Sequence, residues 1–271
     1  MRISLIVILL QLFTISFLKA QDKNDVFYLF KSDWNAAQNV DEATYFMQAV
    51  KESDSAYICR YYRKNGPMVR QESYSDKDFI KANGRFCWYN AKGNLDSTGL
   101  VVDGKKDRTW NYFKDDKKIA TEYFENGHLI ERKDYAQNFY INNEGVKISL
   151  DEKVKQDSIE RTKTDTTIEV VQIAAAFKGG IKGWTKYLQN NLKTPERLIN
   201  ILGQGEHSVG VYFLVNKEGN TSDIYLYHSV EWSGDTEVFR IIKNSPKWEP
   251  AQQNGKKVYY GQKQSLTFAV R

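Results

Sequence analysis

Between Tyr57 and Lys117 the chain writes one short aromatic pattern three times. Tyr57-Ile-Cys-Arg-Tyr-Tyr-Arg-Lys-Asn-Gly66 aligns with Gly84-Arg-Phe-Cys-Trp-Tyr-Asn-Ala-Lys-Gly93 and with Arg108-Thr-Trp-Asn-Tyr-Phe-Lys-Asp-Asp-Lys117. Cys59, Phe86 and Trp110 fall at one position. Tyr61, Trp88 and Tyr112 fall at the next but one, and Tyr62, Tyr89 and Phe113 follow directly. A polar turn closes each pair. The second halves of the last two units also match, Val101-Val102-Asp103-Gly104 against Phe124-Glu125-Asn126-Gly127, and Asp-Gly and Asn-Gly are tight-hairpin signals. Each unit therefore reads strand, turn, strand, turn. A period of roughly 24–27 residues marks a repeat architecture in which each unit buries its face against the next.

Side chains alternate along a strand, which places Cys59, Phe86 and Trp110 on one face. Cys87 follows Phe86 directly and points the other way. The chain has two cysteines, and a disulfide needs Cα atoms within about 7 Å and converging Cβ vectors. In-register stacking thus predicts free thiols, although an exported chain is a setting in which disulfides form. Over about residues 57–135 the pattern resembles MORN-type repeats of bacterial envelope proteins, carried best by Trp88-Tyr89-Asn90-Ala91-Lys92-Gly93 and Asp103-Gly104-Lys105-Lys106. The third unit departs, with Asp116-Lys117 in place of the turn glycine. The resemblance implies an elongated antiparallel sheet and no defined ligand.

Upstream, Phe27 to Phe30 and Thr44 to Met47 read as two further strands, with a short helix from Asp41 to Val50 as the alternative. Met1-Arg2, the apolar run Ile3 to Leu18 and Lys19-Ala20-Gln21 fit a secretory signal over residues 1–20. The alternative is an uncleaved anchor, although spanning a bilayer takes about 20 apolar residues and this run is shorter. Cleavage removes Arg2 and Lys19 and takes the formal charge from +5 to +3. Basic and acidic residues are spread along the whole chain, so a nucleic-acid partner is not expected. No later segment is apolar enough to span a membrane. Residues 21–142 are thus read as a β-rich repeat domain. Residues 143–171, where aromatics give way to mixed charge, are read as a linker, and 172–271 as a second domain.

In that second domain Ile181, Trp184, Leu188 and Leu192 recur at helical spacing, and Pro195 ends the register. Glu196 to Leu202 reads as a further short helical turn. Val209, Val211, Phe213 and Val215 alternate strictly, Asn216 to Asn220 forms a hairpin turn, and Ile224 and Leu226 alternate with Tyr225 and Tyr227 on the return strand. Asp235 is placed to cap a helix carrying Val238, Phe239, Ile241 and Ile242, and Pro246 stops it. A last strand, about Lys257 to Val270, has Val258, Tyr260, Leu266, Phe268 and Val270 on one face and Lys263, Ser265 and Thr267 on the other, with Gly261 as a candidate bulge.

Several segments resemble the TonB C-terminal domain family over about residues 172–271. They are Phe177 to Gly180, Asn191 to Pro195, Val209 to Val215 with Lys217-Glu218-Gly219, Ser245-Pro246-Lys247-Trp248-Glu249-Pro250-Ala251, and Asn254-Gly255-Lys256. Thr194, where a Tyr usually precedes the proline, and Lys178, in place of a common Pro, depart. The resemblance implies an α+β chain whose small C-terminal domain has helix–strand–strand–helix–strand order. It also implies a coupling module that binds a protein or extended peptide strand, such as a segment of an outer-membrane receptor, by strand addition to its last strand. Lys263, Ser265 and Thr267 are the candidate contacts. With four prolines in all, the chain lacks the long Pro-rich stretch of an energy-transducing TonB.

Nothing in the sequence points to catalysis, a metal or a cofactor. His128, His207 and His228 are scattered, no Cys-x-x-Cys occurs, and neither a nucleophile-elbow nor a phosphate-loop motif is found. The reading is an exported periplasmic or envelope binding protein, linked by resemblance to TonB-type transport. The alternatives are an envelope scaffold with no transport role, or an anchored energy transducer if the N-terminal segment is retained.

Overall fold

The computed structural model describes residues 25–164 and 173–271; the segment read as a signal peptide lies outside them. Eleven strands, each paired with its sequence neighbours, form one antiparallel meander. They are β1 (Val26–Phe30), β2 (Tyr45–Ser53), β3 (Ala56–Arg63), β4 (Met68–Tyr74), β5 (Gly84–Tyr89), β6 (Leu95–Val102), β7 (Lys105–Lys114), β8 (Lys117–Glu125), β9 (His128–Asp134), β10 (Phe139–Asn142) and β11 (Lys147–Ser149). The stretch before the repeats is thus two strands and not a helix.

The repeat pattern has a direct structural counterpart. Hairpins β3–β4, β5–β6 and β7–β8 each carry a register shift at the aromatic pair: Tyr61/Tyr62, Trp88/Tyr89 and Tyr112/Phe113. The unpaired extra residue falls on the return strand each time, at Val69, Asp96 and Ile119. Such bulges sharpen the local twist of a hairpin. The aromatics divide between the two faces. Cys59 and Tyr61 pack with Met47 and Ala49, and Phe86 and Trp110 with Val101 and Phe124. Tyr62, Tyr89 and Phe113 point to the opposite face, as does Cys87. The two buried thiols are free and belong to different clusters. Asp103-Gly104 and Asn126-Gly127 adopt positive φ at both residues, as two-residue hairpins require. In the third unit Asp115 and Asp116 do the same without glycine.

The charged segment read as a linker contains β11 and helix α1 (Leu150–Thr164). This helix has no apolar stripe to announce it. Its start is held by the Ser149 hydroxyl, which accepts from the Glu152 N–H at 3.1 Å, and a Lys153–Asp157 pair at 2.6 Å spans one turn.

Downstream come α2 (Gly180–Asn191), α3 (Glu196–Leu202), β12 (Gly205–Val215), β13 (Thr221–His228), α4 (Trp232–Lys243), β14 (Ala251–Gln253), β15 (Lys256–Val258) and β16 (Tyr260–Val270). The expected α+β fold with a helix–strand–strand–helix–strand domain is overturned. The described residues are mostly antiparallel sheet, with 50% strand against 18% helix. Its C-terminal order has a second helix, α3, where Glu196 to Leu202 reads as a short helical turn, and an extra hairpin, β14–β15. The physical reasons are local. Leu198 is fully buried, which fixes α3 as a packed element. Asn254-Gly255 makes a two-residue turn, so Lys256–Val258 folds back on β14 instead of extending the last strand.

Three smaller expectations are also corrected. Glu231, not Asp235, caps α4, accepting from the Gly234 N–H at 2.8 Å. Gly261 pairs with Leu214 in an unbroken β12–β16 register, so it marks no bulge; a Cβ there would come within 2.0 Å of the Tyr212 hydroxyl. Ile181 is 86% exposed, and Trp184, Tyr187 and Leu188 form the packed stripe of α2.

The C-terminal half and the meander share one hydrophobic cluster, which runs from Tyr62, Met68, Cys87 and Tyr89 to Val211, Phe213, Leu226 and Ile241. Polar contacts fix the register of the two halves. The Arg85 guanidinium donates to both Asp223 oxygens at 2.5 and 2.6 Å, and the Tyr89 phenol donates to the Leu226 carbonyl at 3.0 Å. The Met68 N–H donates to the Ser229 hydroxyl at 2.7 Å, and Arg60 lies over the Phe239 ring at 3.7 Å.

Candidate partner-binding edge and the adjoining cleft

Unpaired strand edges present rows of N–H and C=O groups, and proteins usually shorten, twist or cover them. The larger sheet ends on β1, of five residues, and β11, of three. The chain folds back over β1 through a Phe30–Ala36 bridge, and β11 runs straight into α1. The smaller sheet has the order β13-β12-β16, so its edges are β13 and β16. The β13 edge meets the turn of the second repeat. Gly93 accepts from the Ser229 N–H at 2.9 Å, and Asn94 bridges His228.

The β16 edge is different. This strand is eleven residues long and pairs along its whole length with β12. Among the described residues no strand pairs with its other side. Near its start the Gln262 amide donates to the Ala175 carbonyl.

Lys263, Ser265 and Thr267 lie together on the exposed face of this strand, alternating with the buried Leu266 and Phe268. Each has a neighbour on the sheet. The Lys263 ammonium sits 4.0 Å from the Tyr227 ring centroid, and the Thr267 hydroxyl is 2.7 Å from that of Ser208. Burial raises the Tyr227 phenol above its ordinary range, while a hydrogen bond with Ser265 pulls it back. The alternation in the sequence thus identified a common face. It could not show that the backbone edge beside that face is open.

Sequence reasoning missed the cleft next to this face. In strand register Lys263 lies opposite Tyr212, and Tyr212 opposite Tyr225, so the three form a row across the small sheet. The hairpin β7–β8 overhangs that row and leaves a cleft of about 280 Å³. Tyr225 and Tyr227 were legible as outward residues of an alternating strand. Their juxtaposition with the third repeat is a long-range contact with no local signature. The three histidines are not brought together: His207 contacts the Gly203 carbonyl at 3.0 Å, and His228 contacts Asn94 at 2.5 Å. Burial lowers the His228 pKa, with Asp116 opposing the shift. Among the described residues no group of three or more His, Cys, Asp and Glu is placed to hold a metal, and no helix is long and apolar enough to cross a membrane.

No protein-family model matches the chain, and no curated protein or solved structure is significantly similar to it. The resemblances drawn from its motifs rest on those motifs alone.

Proposed function

We propose that this chain is an envelope binding protein that captures an extended peptide segment by strand addition to the outer edge of β16. The observation that carries the reading is the contrast among sheet edges: among the described residues the eleven-residue β16 edge has no strand on its outer side, while the edges of the larger sheet are short and the β13 edge is met at His228 by the second repeat. An added strand gains affinity from backbone hydrogen bonds and specificity from alternate side chains. Lys263, Ser265 and Thr267 would flank the side chains of that strand on the exposed face. Export through the N-terminal segment and a link to TonB-type transport are part of the proposal and are supported by the quoted sequence motifs. The role is one of binding, and no catalytic step is assigned.

In an antiparallel edge strand, successive residues alternately direct their N–H groups toward the partner strand and outward. Gln264 and Thr267 have opposite parity. Proline at the inward position breaks pairing with β12, and proline at the outward position removes only a free donor. Gln264→Pro and Thr267→Pro would each be made in the full chain and checked by circular dichroism. The variant that keeps the fold should capture its envelope partner at least about ten-fold more weakly than wild type in a pull-down, as loss of a backbone hydrogen bond plus a steric clash implies. Equal capture by a folded variant would exclude this edge. No capture by either protein would favour the scaffold reading.

A further inference from the structure

We propose that the cleft between the third repeat and the C-terminal sheet is a binding site for a carboxylate carried on a compact ligand the size of one amino-acid residue. Its floor is the row Lys263, Tyr212 and Tyr225, and its facing wall is Asn111, Phe113 and Lys118. The two halves are held in fixed register by Arg85–Asp223 and Tyr89–Leu226, so the site is preformed. A volume of about 280 Å³ lies just below the range of about 300–1,000 Å³ for ligand sites, which limits the occupant to residue or monosaccharide size.

The chemistry of the walls selects the ligand. Lys118 and Lys263 bring cations from opposite sides, and among the described residues neither has a carboxylate within 4.0 Å. Two lysines without a carboxylate partner that face one cleft favour an anion. Burial raises the phenols of Tyr212 and Tyr225, which keeps both neutral and able to donate to a carboxylate oxygen. Their rings, 4.9 Å apart, offer flat apolar surface beside those donors. Asp116 stands on the rim and makes a dianion such as phosphate a poor fit.

The cleft also has an identifiable origin. In the second repeat, the longer turn from Asn90 to Asn94 reaches β13 and closes against it. In the third repeat, the two-residue turn Asp115-Asp116 is shorter and leaves a gap. Glycines at 210 and 261 let Tyr227 and Tyr212 lie across the sheet, since a Cβ at either position would come within 2.3 or 2.0 Å of a ring atom or hydroxyl. Glycine inside a strand weakens it unless another group needs the space.

The carboxylate can come from a chain terminus or free acid, or from a Glu or Asp side chain. Calorimetric titration of the full chain with N-acetyl-phenylalanine represents the first source, and N-acetyl-glutamate with its α-carboxyl blocked as the methylamide represents the second. The carboxamide of each is its neutral control. At least one carboxylate probe should bind, about ten-fold or more tightly than its amide, because charge-assisted hydrogen bonds are lost in the amide. Lys118→Gln and Lys263→Gln should each weaken binding about ten-fold. The folded proline variant of β16 should leave it unchanged, which separates this site from the strand-addition reading. The proposal is overturned if neither carboxylate probe binds at about 10 mM, if the amides bind equally well, or if Lys118→Gln has no effect.

Discussion

Asp235 offers the sharpest test of how the two halves are joined. It lies in the first turn of α4, fully buried, and faces groups from both halves. Its carboxyl accepts from the Ser229 hydroxyl and from the Val230 N–H at 3.1 Å. The Tyr62 phenol and Arg60 face it from the meander, and Glu231 from its own helix. Burial pushes its pKa from 3.8 up to about 8, with Glu231 adding to the rise and Ser229, Val230 and Arg60 opposing it.

The folded state therefore holds a proton that the unfolded chain releases at about pH 4. Below that pH the group is protonated in both states and has no effect on stability. Between about pH 4 and pH 8 the folded form loses roughly 1.4 kcal/mol per pH unit from this group, and above pH 8 the loss is constant. Asp235→Asn keeps an oxygen for the Val230 N–H and removes the titration. Urea unfolding of both proteins at pH 5, 7 and 9 cancels the other titrating groups in the difference. The variant should gain on wild type by about 4 kcal/mol between pH 5 and pH 9, with the gap opening mainly below pH 8. Parallel stability curves for the two proteins would refute a buried, proton-holding Asp235.

The Arg85–Asp223 pair should behave as a mostly buried lock. Arg85→Met or Asp223→Leu alone should cost about 3 kcal/mol in urea unfolding, and the double replacement should recover most of that loss, because it leaves no charge unpaired; additive losses would show that the two side chains act independently. Burial raises Cys59 to about 12 and Cys87 to about 11, so both thiols should resist alkylation in the native chain at pH 8 and react together once urea unfolds it without reductant. A failure to label in urea would reveal a disulfide and a wrong repeat register.

The repeats were legible because they obey local rules. Period-two alternation assigned Cys59 and Cys87 to opposite faces, and Asp-Gly and Asn-Gly announced their turns. What alternation cannot supply is the bulge that recurs at each aromatic pair, since one extra residue on the return strand leaves no compositional trace. Helix α1 was invisible for a related reason: its stability comes from a serine cap and an i,i+4 ion pair, not from an apolar stripe. The cap of α4 was misassigned because Asp is the usual capping residue. Glu231 and Asp235 both lie near the helix start, and only tertiary packing assigns one to the cap and the other to the interface. The resemblance to TonB domains led to an element order that the α3 helix and the β14–β15 hairpin break.

The meander is longer than its contact with the C-terminal half requires. Aromatic contacts to the shared cluster run from Phe27 on β1, whose ring meets Trp232 at 5.5 Å, to Phe113 on β7, and among the described residues none comes from β8 to β11. The second repeat closes one edge of the small sheet, and the third overhangs its face without closing it. Two neighbouring copies of one sequence pattern thus do opposite things, and the difference traces to a turn shortened to Asp115-Asp116. Lengthening that turn to match Asn90–Asn94 would bring a third-repeat backbone toward β13 and fill the space between Lys118 and Lys263. The outer edge of β16 is the opposite edge of the same sheet from β13 and would remain. Edge and cleft are therefore separable features of one surface, the first set by strand order and the second by turn length.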